Sequence, residues 1–136
     1  MYLQESELAF IIKTLKKALP NLQALYLFGS FNDGSAHAKS DVDIAFLSPD
    51  IFDKKALWDI QNHLASLLNR DIDLIDLKET NTIFRYQILS TASRLFGEGY
   101  QVESFETLAY SFYLRFQEER KPIVDALYGQ KEEHHV

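Results

Sequence analysis

The sequence predicts a small α/β domain. Three observations carry that expectation. Residues 5–19 and 53–68 place apolar side chains at helical spacing. Residues 22–28, 41–47 and 71–77 are short, strongly apolar runs of strand length. The two kinds of segment alternate, and no repeat, linker or low-complexity stretch divides them. A chain of 136 residues with 46% hydrophobic and 25% charged residues can bury a core as one domain. That domain is expected to span 1–136, with 129–136 as a loose tail.

In residues 5–19, Leu8, Ile11, Ile12, Leu15 and Leu19 line one helix face. Glu5 and Glu7 near its start, and Lys13, Lys16 and Lys17 towards its end, suit the helix dipole. The lysines read first as a solvated face; phosphate binding is their rarer use. Pro20-Asn21 stops the helix. Residues 22–28 are apolar at nearly every position, as in a strand covered on both faces. Gly29-Ser30 ends that strand. A loop over 31–40, turning at Gly34, leads to a second strand over 41–47, closed by Ser48-Pro49. Asp53 can cap the next helix, whose stripe is Leu57, Ile60, Leu64, Leu67 and Leu68. His63 has no other His or Cys nearby and reads as surface or packing.

The third strand, 71–77, sends Asp71, Asp73, Ile75 and Leu77 to one face and Ile72, Leu74 and Asp76 to the other. A helix near 80–91 would use Ile83, Tyr86 or Gln87, and Ile88. Residues 94–96 suit a short edge strand before Gly97 and Gly99. The last helix, about 103–128, is expected to bury Phe105, Leu108, Ala109, Phe112 and Phe116, with Tyr110 and Tyr113 off the stripe. Pro122 should kink or split it. A second apolar face on this helix would be a docking surface. His134-His135, in a polar tail, make a poor metal pair.

The net charge is 14 minus 20, or −6, without the basic face of a protein that grips nucleic-acid backbone. It favours a small anionic ligand carried with metal, or a basic protein partner, and no direct nucleic-acid contact. There is no cysteine, which excludes disulfide frameworks and thiolate metal sites and agrees with a cytoplasmic setting. Met1-Tyr2-Leu3-Gln4-Glu5 lacks the basic start of a signal peptide, and no apolar run reaches membrane-span length.

The chemistry concentrates between Gly29 and Asp43. Asp41 and Asp43, one residue apart on a strand, leave the same face with Cα atoms about 6.5–7 Å apart. Two carboxylates so placed repel unless a cation lies between them. Mg2+ is usually held by one or two carboxylates, with phosphate oxygens and water completing its shell. Asp73 offers a third carboxylate, with Asp71 and Asp76 as rivals. Gly29 lets backbone approach a ligand closely, and Ser30 adds a hydroxyl beside exposed N–H groups that can cradle phosphate. Asp73 could also take the proton of an acceptor hydroxyl. Each feature alone has a plainer reading: a turn glycine, a turn serine, and acids that cap or are solvated.

Together, Gly29-Ser30, ten residues, Asp41-Val42-Asp43 and a later Asp73 strand resemble the signature of the polymerase-β-type nucleotidyltransferase superfamily. Within it the chain is most similar to the minimal nucleotidyltransferases of the MNT type. Leu27-Phe28-Gly29-Ser30, Ser40-Asp41-Val42-Asp43-Ile44-Ala45 and Ile72-Asp73-Leu74-Ile75-Asp76-Leu77 carry the likeness. The resemblance implies a small mixed sheet flanked by helices, with an aromatic C-terminal helix. It implies Asp41, Asp43 and Asp73 as catalytic and metal-binding residues, Gly29 and Ser30 at the nucleotide, Mg2+ as cofactor and ATP as co-substrate. It also implies an antitoxin that transfers AMP to a tyrosine hydroxyl of a partner HEPN-family RNase toxin. The chain departs from many members at Phe31-Asn32-Asp33-Gly34, where they carry a basic residue; Lys39 is the loop's only Lys or Arg.

Two other functions stay open on the sequence. An antitoxin could act by binding alone through the C-terminal helix. A nucleotidyltransferase could instead modify a small hydroxylated molecule. With only about one hundred residues around the site, the acceptor must supply much of its own geometry, which favours a macromolecule.

Overall fold

The computed structural model describes residues 1–133. Strands β1 (Ala24–Phe28), β2 (Val42–Leu47), β3 (Ile72–Asp76) and β4 (Ser93–Phe96) form one sheet in the order β3-β2-β1-β4. β1 pairs antiparallel with β2 and β4, whereas β2 and β3 run parallel. Helix α3 (Lys54–Leu68) makes the crossover that parallel neighbours require. The expected small mixed sheet flanked by helices is the one observed.

Alternation along the strands builds a core on each face. Leu25, Leu27, Val42, Ile44, Phe46, Ile72 and Leu74 pack beneath α3 and helix α1 (Glu5–Ala18), whose Ile11 and Leu15 are fully buried. Ala24, Tyr26, Ala45 and Leu47 face the other way, towards Ile88 of helix α4 (Thr82–Thr91) and Val102 of helix α5 (Tyr100–Glu133). Burial on both faces explains why β1 and β2 read as unbroken apolar runs. The facing expected for the third strand holds: Ile72 and Leu74 join the first core, Ile75 and Leu77 the second.

Local signals set most boundaries. Asp53 accepts from the Ala56 N–H at 2.7 Å, and Asn81 caps α4 by accepting from Phe84 N at 2.8 Å. Asn69 ends α3 in the left-handed conformation, φ +54°. The loop after Gly29 differs from expectation by opening with a single helical turn, α2 (Ser30–Asp33), which Gly34 closes at φ +87°.

Three helix assignments change. Leu67 is 50% exposed, because it lies roughly 60° round the helix from the buried Leu64. Ile83 stands at the surface of α4, and Ile88 alone is buried there. α5 departs in part from the expected stripe: Phe105 and Ala109 face inward as expected and Val102 joins them, but Leu108 and Phe112 are 54% and 47% exposed. Tyr113, expected off the stripe, packs against α4 instead. Its ring stacks on Tyr86, with centroids 3.8 Å apart and planes 5° apart, and its hydroxyl accepts from Gln117 at 2.8 Å. Tyrosine can sit inward because its hydroxyl has a partner.

Pro122 does not split α5, which runs unbroken from Tyr100 to Glu133, into the stretch expected to be loose. His134 and His135 lie outside the described residues. Among the described residues no helix is long and apolar enough to cross a membrane.

The departure of α5 from the expected stripe is testable by urea unfolding. Leu108→Ser should change stability by less than about 0.5 kcal/mol, as at an open surface. Ala109→Leu should cost about 1–3 kcal/mol through overpacking. The reverse order would restore Leu108 to the core.

Candidate active site

The site begins with strand register. In the parallel β2–β3 pair, Asp43 is the direct partner of Asp73, and on the other side of β2 the partner of Asp43 is Phe28. Neighbouring strands lie about 4.8 Å apart, so the two carboxylates leave one sheet face as near neighbours. Asp41 lies just before β2; it and Asp73 are exposed, and Asp43 is half-buried. Of the rival acids, Asp76 faces the other way and Asp71 lies outside the paired strand. Asp76 is buried and accepts from the Lys78 N–H at 3.0 Å. Asp71 precedes β3, where its backbone carbonyl accepts from Val42 N at 2.8 Å.

Gly29 is required here for two reasons. Its φ of +74° is one that side-chain-bearing residues rarely adopt, and a Cβ would lie 2.2 Å from Oδ2 of Asp43. The Asp43 carboxylate therefore leans against the backbone of the turn. Gly29 O accepts from the N–H groups of Asn32 and Asp33 at 3.0 and 3.2 Å, starting α2. By position, the N–H groups of Ser30 and Phe31 have no acceptor one turn earlier. With the Ser30 hydroxyl they could donate to an anion.

α2 is held from both sides. Phe31 is 1% exposed and carries the Arg70 guanidinium 5.0 Å from its ring centroid. Arg70 in turn pairs with Glu7 at 2.7 Å and draws the Glu7 carboxyl below its usual range. On the other side, Asn32 bonds to Thr91 and Ser93. Beyond Phe28, the Phe84 ring of α4 packs edge-on with centroids 6.2 Å apart, adding an aromatic wall to this end of the sheet. Asn32, Ser93 and Phe84 escape sequence reading, since only long-range pairing brings them here.

The electrostatics are those of crowded acids. Burial pushes the Asp43 carboxyl up to about 6, and the charges of Asp73 and Asp41 add to the effect. Asp73 is also raised, by desolvation first and then by Asp41. Hard oxygen donors that raise one another's pKa values suit a hard divalent cation such as Mg2+. Among the described residues no group of three or more His, Cys, Asp or Glu side chains is placed to hold a metal ion, so Asp41, Asp43 and Asp73 do not form one three-carboxylate set. Phosphate oxygens and water would have to complete the shell, as Mg2+ commonly requires.

Acids set across two strands beside a glycine-serine turn, on a small mixed sheet, define a nucleotidyltransferase. The chain belongs to the polymerase beta nucleotidyltransferase family, whose model matches residues 10–100. It is 40% identical over 115 residues to the protein adenylyltransferase MntA of Shewanella oneidensis, covering 85% of this chain and 83% of that protein. A toxin–antitoxin structure with AMP-PNP contains a chain that is 38% identical, with a TM-score of 0.81 over 93% of this chain and 99% of the other. A complex of a tri-AMPylated Shewanella oneidensis HEPN toxin with an MNT antitoxin gives 35% identity and a TM-score of 0.78, again over 93% and 99%.

Two predictions follow from the crowding. The folded pKa of Asp43, about 6, exceeds its ordinary 3.8, so the folded state binds more protons between these values. Metal-free stability should therefore fall as pH rises through that window. Asp43→Asn should lessen the fall, leaving the part due to Asp73, and raise metal-free stability at pH 7.5 by about 1–2 kcal/mol, allowing for solvent screening, in paired urea titrations. Gly29→Ala should displace the Asp43 carboxylate and lower nucleotidyl transfer by at least about 100-fold, while circular dichroism still reports a folded chain.

Proposed function

We propose that this protein is a Mg2+-dependent protein adenylyltransferase, the antitoxin of a HEPN/MNT pair. It would transfer AMP from ATP to a tyrosine hydroxyl of its cognate HEPN RNase toxin and so neutralise it, in the cytoplasm. The observation that carries the reading is Asp43, paired across the sheet with Asp73 and pressed against the Gly29 turn. The relatives support the choice of reaction, since one is named a protein adenylyltransferase and another was solved with an AMPylated HEPN toxin. The relative solved with AMP-PNP supports ATP as the donor.

In this reading Asp41, Asp43 and Asp73 would hold the cation together with phosphate oxygens and water. When bound, Mg2+ neutralises phosphate charge and steadies the leaving pyrophosphate of an in-line displacement. The turn donors of Ser30 and Phe31 hold phosphate oxygens. A tyrosine oxygen of the toxin forms a bond to the α-phosphorus of ATP while the bond from that phosphorus to the bridging oxygen of pyrophosphate breaks. The phenol proton passes to a carboxylate, for which Asp73 is this chain's candidate. AMP stays on the toxin and pyrophosphate leaves.

One feature favours a second reading, inhibition by binding alone. α5 exposes Leu108, Phe112, Ile123 and Leu127, a surface able to dock a partner without chemistry. Modification of a small hydroxylated molecule has no such support on this chain.

The test uses the toxin encoded beside this protein, labelled ATP and Mg2+. The toxin should gain nucleotide mass and lose RNase activity. Asp41→Asn with Asp43→Asn should cut transfer by more than about 1,000-fold while complex formation persists. Full neutralisation by the doubly substituted protein would favour binding alone. No gain of mass by the toxin with an intact enzyme would sink the transferase reading.

A further inference from the structure

We infer that Asn32 is a positioning residue for nucleotide binding, fixing the Gly29-Ser30 turn against the junction of α4 and β4. The assignment rests on the nucleotidyltransferase reading and adds to it a side chain outside the acid set.

A single turn of helix cannot hold its own geometry, because helix nucleation is unfavourable. α2 therefore depends on what its side chains grip. Phe31 anchors it to the core beneath α1 and α3. Asn32 anchors it to the opposite side. Its Nδ2 donates to the Thr91 carbonyl at 2.9 Å, and its Oδ1 accepts from the Ser93 hydroxyl at 2.6 Å. Thr91 is the last residue of α4, where carbonyls lack helical donors. Ser93 opens β4 and pairs with Leu27, just before the turn.

These contacts close a ring through α2, the end of α4, β4, β1 and the turn itself. The backbone N–H of Asn32 donates to Gly29 O at 3.0 Å, so one residue binds both the turn and its support. The orientation of the amide follows from its partners. A carbonyl can only accept, so Nδ2 faces Thr91 and Oδ1 is left for the hydroxyl. Aspartate, with nearly the same shape, would set an oxygen against the Thr91 carbonyl.

The chain has reason to need this brace. No lysine or arginine lies between Gly29 and Ala38, so the turn offers phosphate only backbone N–H groups and the Ser30 hydroxyl. Short-range donors of that kind lose their grip when the backbone shifts.

The experiment compares full-length wild type with Asn32→Ala, Asn32→Asp and Ser93→Ala. AMP-PNP binding with Mg2+ is measured by calorimetry, the KM for ATP and kcat with the cognate toxin, and stability by urea. Asn32→Ala and Asn32→Asp should weaken AMP-PNP about tenfold and raise the KM for ATP in step. Ser93→Ala should weaken it about two- to fivefold. A merely structural role would lower stability and leave the affinity of the folded protein unchanged; that result overturns the assignment. Wild-type binding matched by all three variants overturns it while leaving the nucleotidyltransferase reading intact. Failure of the wild type to bind AMP-PNP removes both. If Asn32→Ala or Asn32→Asp does not fold, Ser93→Ala, which removes one bond at an exposed residue, decides the matter alone.

Discussion

The rest of the structure depends on one unfavourable interaction, the repulsion between carboxylates held together at the start of β2 and on β3. Left to itself, such a pair would separate or take up a proton. It is held because the flanking ladder positions are deeply buried: Val42 beside Ile72 and Ile44 beside Leu74 are all no more than 6% exposed. Sliding β3 by one residue would expose those side chains and turn Asp73 to the other face. Apolar burial on one face of the sheet thus fixes the position of charge on the other.

That dependence makes the crossover helix part of the site. Parallel strands cannot be joined by a tight turn, so β2 and β3 require α3 between them. α3 packs through Leu64 into the same core that seats Ile72 and Leu74. The first half of the site, Gly29 and Ser30, comes from the antiparallel side through β1. The turn and the acid pair meet only because β2 lies between β1 and β3. Their closeness is visible in the Cβ that Gly29 has no room to carry.

What could be read from the sequence follows from what is local. The cap at Asp53, the turn at Gly34, the period-two facing of Asp73 against Asp76, and the Gly-Ser and Asp-x-Asp pairs are each set within a few residues. The parallel register that puts Asp43 beside Asp73 is not local, and only the family resemblance anticipated the site it builds. Part of the α5 stripe, Leu108 and Phe112, departs for a related reason. Ranking side chains by hydrophobicity puts Phe112 ahead of Tyr113, but the ring stack on Tyr86 and the bond from Gln117 make the tyrosine the better inward residue. Asn32 gave no signal at all, because its partners lie on the far side of three elements. At Pro122 the split half of the expectation does not occur: one lost N–H and a ring clash penalise a helix interior, but α5 continues through them.

The openness of the site fits the proposed chemistry better than a closed pocket would. Asp41 and Asp73 remain exposed, so the chain by itself does not exclude water from the acids. An acceptor presented by a folded partner could cover them, strengthening every electrostatic contact beneath it. α5 is suited to receive such a partner. Its 34 residues extend about 51 Å, and Val102, Phe105, Tyr110 and Tyr113 engage the second core and Tyr86 of α4. Beyond Phe116, Ile123 and Leu127 are 66% and 62% exposed. On the proposed function, a chain that leaves Asp41 and Asp73 open to water and exposes Ile123 and Leu127 on α5 would supply charge and phosphate contacts, and its protein substrate would supply the lid.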